Sequence, residues 1–179
     1  LHQGSILILN SHVDKSSVGY FQIAWQMTVV PLIIPQAAAL AVYSRLPGLG
    51  PDMVWREHRR LVLVLLVLSL VIYAAAWLAA PLVIPLVAGD EFRPAVPLFR
   101  MMAPVLIGLT FAQAMTPQWI SRGFFLTTTL ITVASALASV ILQLLYVPEY
   151  GVMAAVWANL IFLGAFPALV QGGFMLRCE

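Results

Sequence analysis

Long stretches of this chain carry no formal charge. Leu61–Gly89, Gly123–Pro148 and Tyr150–Leu176 contain no Asp, Glu, Lys or Arg. Within the first, Leu61–Leu70 reads LVLVLLVLSL, apolar on every side rather than at every second position. A helix rises about 1.5 Å per residue, so roughly 20 apolar residues cross a hydrocarbon core about 30 Å thick. Backbone polar groups find no water there, so a spanning segment is a helix or part of a closed barrel, and a barrel strand would alternate. The pattern predicts an all-α, polytopic transmembrane bundle of five complete spans and part of a sixth. The spans fall at about residues 1–10 (partial), 18–44, 61–88, 95–121, 124–147 and 151–176. The one long connection, 45–60, carries Pro47, Gly48, Gly50 and Pro51, and no connection is long enough to form a domain of its own.

Arginines set the expected sidedness. Arg45, Arg56, Arg59, Arg60, Arg122 and Arg177 fall on one side, whereas Lys15 and Arg93 share the other with Asp14, Asp90, Glu91 and Glu149. The positive-inside bias puts residues 45–60 and Arg122 in the cytoplasm, and residues 11–17, 89–94 and 148–150 outside. Tyr20, Tyr43, Trp119, Tyr146 and Tyr150 lie near span ends, as an aromatic belt requires, while Trp77 and Trp157 are expected to pack between helices.

Composition narrows the function classes. With 62% hydrophobic residues, 9% charged and a mean hydropathy of +0.98, the apolar surface exceeds what a soluble domain of 179 residues hides. The net charge of +2 comes from few, scattered basic residues, which excludes a phosphate-tracking face and with it nucleic acid as a partner. Cys178 stands alone, and His2, His12 and His58 fall at separate places. No metal-ligand spacing, phosphate loop or nucleophile–base pair occurs, so neither enzyme, metal nor cofactor is expected.

The polar and helix-breaking residues inside spans are the remaining candidates. Pro31, Pro35 and Pro104 sit within spans as candidate kinks or hinges, with Pro81, Pro85, Pro117 and Pro167 elsewhere. Each proline removes a backbone donor, and bent helices recur where transporters rock, although proline is also simply tolerated in membrane helices. Gln22 and Gln26 lie four apart on one helix face, and Gln113, Gln143, Asn159 and Gln171 are single polar groups in other spans. Gln22, Gln26, Gln113 and Asn159 are candidate ligands for sugar hydroxyls. The competing reading is interhelical hydrogen bonding, worth about 0.6 kcal/mol each. Ala134–Ala136 with Ala138-Ser139 reads as close helix packing. Arg100 is the one charge set inside a span. It is a candidate for binding an anionic phosphate, or for snorkelling to the outer interface or making a structural hydrogen bond.

Three segments resemble a known family. Val18-Gly19-Tyr20-Phe21-Gln22-Ile23-Ala24 resembles the opening of a span in polysaccharide flippases. Gly89-Asp90-Glu91-Phe92-Arg93-Pro94-Ala95, continuing to Leu98 and Arg100, resembles their outer G-x-x-F-x-x-A…LR connection. Val147-Pro148-Glu149-Tyr150-Gly151-Val152-Met153-Ala154-Ala155 is similar to the turn before their last core helix. In this order they resemble the repeat-unit (O-antigen) flippases of the multidrug/oligosaccharidyl-lipid/polysaccharide exporter superfamily. The resemblance implies the C-terminal half of a two-bundle transporter whose N-terminal bundle is missing, working by alternating access in the bacterial inner membrane among its lipids. The cargo it implies is an undecaprenyl-pyrophosphate-linked oligosaccharide, with a polysaccharide polymerase as a further partner. Lipid II flippases of the same superfamily carry a cavity arginine on the eighth helix, and Val18–Ser44 has none. A multidrug/cation antiporter of the same fold is the alternative, disfavoured by the lack of acidic residues inside spans. A membrane enzyme of polysaccharide assembly is disfavoured by the short outer connections.

Overall fold

A computed structural model describes residues 2–34, 36, 37, 40 and 51–177. Helices α1 (His2–His12) and α2 (Lys15–Val29) come first, and a 3-10 turn at Val30–Leu32 follows α2. The long α3 (Pro51–Ala88) leads through a 3-10 turn at Asp90–Phe92 into α4 (Ala95–Met102) and α5 (Val105–Ser121). Helix α6 (Phe125–Tyr150) returns, and the last element is α7 (Val152–Asn159), a π-helical segment at Leu160–Ala165, and α8 (Phe166–Arg177). No strand occurs among the described residues.

Among the described residues, four helical stretches are long and apolar enough to cross a membrane: His58–Ala88, Ala95–Thr116, Phe125–Tyr150 and Val152–Gly173. The expected span 18–44 runs partly outside the described residues, as does Pro35. Several expected boundaries shift. Residues 51–60, assigned to a connection, belong to α3, and residues 148–150 are the last turn of α6 despite Pro148. The polar run 11–17 shrinks to Val13 and Asp14, because α1 continues through His12 and α2 begins at Lys15. Asp14 makes that early start possible by capping α2. Its carboxylate accepts the Ser17 N–H at 3.0 Å and the Ser17 hydroxyl at 2.8 Å, satisfying donors that a helix start leaves unpaired. Gly89 (φ 104°) and Gly151 (φ 56°) turn the chain where a side chain would be strained.

Neighbours pack as α3 with α5, α2 with α4, α6 with α7, and α5 with the π segment and α8. The larger core lies toward the end of the bundle holding Gly89 and Gly151, and includes Leu9, Phe21, Ile84, Phe99, Met102 and Ala155. A smaller one at the opposite end holds Val62, Leu65, Ala114, Met115 and Trp119. The outer faces are apolar too: Leu82 is 77% exposed and Leu86 85%. Such a surface is incompatible with water over this area and suited to lipid. The molecule is built as a helical membrane protein.

Trp157, expected between helices, instead faces outward with Tyr146, Tyr150 and Met153 in an apolar groove of about 420 Å³. That groove lies beside the Gly151 turn, where aromatic side chains suit a membrane interface.

Candidate binding cleft

Polar residues inside the bundle converge at one place. A cleft of about 230 Å³ opens between α5, α6, the π segment and α8. Its polar lining is Gln113, Thr116, Thr128, Thr132, Ser135 and Gln171, and Phe162 adds an aromatic face. Thr128, Thr132 and Ser135 stand at i, i+4 and i+7, so one stripe of α6 presents all three. Ser139 and Gln143 continue that stripe into the core, where the Gln143 Nε2 donates to Ser139 Oγ at 3.0 Å.

The chemistry of the lining is unusual in one respect. Thr128 donates to Phe124 O (3.0 Å), Thr132 to Thr128 O (2.9 Å), Ser135 to Ile131 O (2.7 Å) and Thr116 to Ala112 O (2.9 Å). Each hydroxyl hydrogen is thus committed to its own helix, and the oxygen lone pairs remain as acceptors. Gln171 is only 5% exposed, and its Oε1 makes no hydrogen bond among the described residues. No charged side chain lines the cleft.

Two backbone irregularities lie along the helices that form it, the first outside the lining itself. Pro104 separates α4 from α5, with 3-10 contacts from Leu106 N–H to Ala103 O (3.0 Å) and Ile107 N–H to Pro104 O (3.1 Å). Opposite, Pro167 offers no N–H to the Leu163 carbonyl, and the ladder ahead of it is shifted by one residue, with Phe166 N–H donating to Ile161 O. The two irregular helices cross at Gly108 and Gly164, backbone against backbone.

Only one of the expected ligands, Gln113, lines the cleft. Gln22 and Gln26 share a face of α2 as their spacing requires, but that face is exposed and separate from the cleft. Asn159 is fully buried just before the π segment, and neither amide atom has a partner among the described residues. Equal separation from Gly151 sets Asn159 at the depth of Gln143, roughly 12 Å from the turn. Pro31 lies in the 3-10 turn that ends α2, and Pro104 at the α4–α5 break.

Arg100 is engaged elsewhere. Its Nε donates to Trp77 O at 3.3 Å and its Cζ lies 4.3 Å from the centroid of the Trp77 ring. The cause is on α3: Pro81, four residues on, cannot supply the N–H that the Trp77 carbonyl would otherwise receive. The structural hydrogen bond weighed against a phosphate contact is thus present, and Trp77 lies at the surface beneath the guanidinium.

His58 was passed over in the sequence as an isolated histidine. It is 1% exposed, and its Nε2 donates to Ala114 O at 2.8 Å, joining α3 to α5. Its position on the face shared with Val62, Leu65 and Ser69 was the available signal. No protein-family model, curated protein or solved structure matches the chain.

Proposed function

We propose that this chain is a bundle of a transporter that flips undecaprenyl-pyrophosphate-linked oligosaccharide across the bacterial inner membrane. The observation that carries the reading is the uncharged, oxygen-lined cleft among helices of membrane-crossing length. Neutral hydroxyls and amides in an apolar bundle suit a cargo rich in hydroxyl groups, and they offer a cationic drug no counter-charge. The breaks at Pro104 and Leu160–Ala165 give the bordering helices joints of the kind that rocking transporters use.

In this reading the chain has five complete spans and a partial sixth, with residues 45–60 and Arg122 in the cytoplasm. It works against a second bundle, the N-terminal one that the resemblance implies. Arg100, held on Trp77, braces α3 against α4 rather than gripping pyrophosphate.

The test is surface polysaccharide in a flippase-deleted strain. The chain is expressed alone and beside the first six spans of a repeat-unit flippase. Restored polysaccharide in the paired strain supports the reading. No restoration in either strain, with both chains shown to be in the membrane, overturns it. Efflux of a cationic dye in its place would favour a multidrug antiporter.

A further inference from the structure

We infer that the cleft between α5, α6 and α8 is a subsite for a single neutral sugar ring, whose own hydroxyl groups donate to acceptors on the cleft wall. This rests on the transport reading and specifies which part of a cargo the bundle grips. The direction of the hydrogen bonds decides the chemistry. Thr116, Thr128, Thr132 and Ser135 have their hydroxyl hydrogens committed to backbone carbonyls, so they face the cleft as acceptors. Gln171 adds Oε1, an acceptor without a partner on a side chain 95% buried, the complement of its 5% exposure. An unmet acceptor in so dry a place is costly unless a donor arrives. Sugar hydroxyls are donors, and several of them on one ring match several acceptors on facing helices.

Size and charge weigh against the nearest rivals. A volume of about 230 Å³ is several times the roughly 30 Å³ share of one water. It falls below the roughly 300–1,000 Å³ of sites for drug-sized ligands. One pyranose ring fits between those limits. A bare cation would meet neutral oxygens but no carboxylate to balance its charge. An anionic sugar would meet mostly acceptors, with no donors beyond the glutamine amide N–H groups and no cation to balance its charge. Phe162 gives the C–H face of a ring an apolar surface to lie against.

The 179-residue chain in lipid nanodiscs, probed by saturation-transfer NMR with a panel of neutral methyl pyranosides, tests the assignment. At least one member is expected to receive saturation, and methyl glucuronopyranoside, its anionic counterpart, to receive none. Gln171→Leu and, independently, Thr132→Val should each weaken that binding at least tenfold. Thr132→Val keeps the side-chain shape, so it remains informative if Gln171→Leu does not fold. Silence from the whole panel against folded protein overturns the subsite. So does preference for the uronoside, or a rise in unfolding temperature with sodium chloride but not choline chloride while the pyranosides stay silent. The export assay separates the two readings. Binding without export sinks transport and leaves the subsite, whereas undiminished export by folded Gln171→Leu sinks the subsite and leaves transport.

Discussion

Replacing Gly108 with alanine sets a methyl group into the backbone of the facing helix. The new Cβ would overlap the Gly164 carbonyl oxygen and lie 2.5 Å from the Gly164 Cα and 2.6 Å from its carbonyl carbon. Non-bonded carbons prefer about 3.5–4.0 Å, so α5 and the π segment must part by roughly 1 Å. Neither neighbour is the end of a flexible side chain, so the strain cannot be relieved by a rotamer change. Overpacking costs about 1–3 kcal/mol, and rigid backbone on both sides argues for the upper end. Alanine recovers about 1 kcal/mol of helix propensity relative to glycine, leaving a net loss of about 2 kcal/mol. At about 2–4 °C per kcal/mol for a chain of this size, the unfolding midpoint should fall by about 4–8 °C.

Gly164→Ala is the control, because it gains the same propensity while its Cβ meets Val105 Cα at 3.3 Å, a tight contact without overlap. Its midpoint should stay within about 2 °C of the parent chain. The assay is thermal unfolding of both variants in one detergent, followed by tryptophan fluorescence. If Gly108→Ala unfolds at or above the temperature of Gly164→Ala, the two backbones do not cross as described.

The brace at Trp77 predicts that Arg100→Ala lowers the unfolding midpoint and that Trp77→Leu added to it lowers it little further. A full, additive second fall in the double-mutant cycle would show that the two side chains act separately. Asp14 stands in the short turn between α1 and α2, and the Ser17 N–H and hydroxyl hold its carboxyl below the ordinary value of 3.8. Because the folded pKa is the lower one, the cap is fully present above pH 3.8 and is lost as the pH falls through the folded value. Protection of the Ser17 amide, its exchange relative to the intrinsic rate at each pH, should therefore fall only in acid, and an Asp14 carboxyl titrating above 3.8 by NMR would contradict the cap. In a chain freed of Cys178, a cysteine at Asp90 should react with an impermeant thiol reagent in intact cells and one at Pro51 should not. The reverse pattern would invert the proposed orientation.

The bundle itself was legible from local pattern, because LVLVLLVLSL permits little but a helix in lipid, and α3 follows directly. Its ends were less so: Pro51 was read as a turn residue, yet proline is well tolerated in a helix's first turn, where its missing N–H is not needed. Arg100 shows the limit more sharply. Its cost inside a span was visible, and so was the proline that frees the Trp77 carbonyl. The link between them depends on α4 lying against the outer end of α3, which no window of sequence contains. The cleft was half visible for a related reason. Gln113 and Gln171 stood out as amides among apolar neighbours, whereas Ser135 read as close packing with its alanine neighbours and Thr128 and Thr132 drew no reading, because back-bonding to their own helix lets such hydroxyls sit among apolar residues at little cost. That same economy orients their lone pairs outward, so the residues that hydropathy treats as filler supply most of the acceptors. The spacing of Thr128, Thr132, Ser135, Ser139 and Gln143 along one face was the readable clue. It acquired chemical meaning only when α5 and α8 closed around it with Gln113 and Gln171.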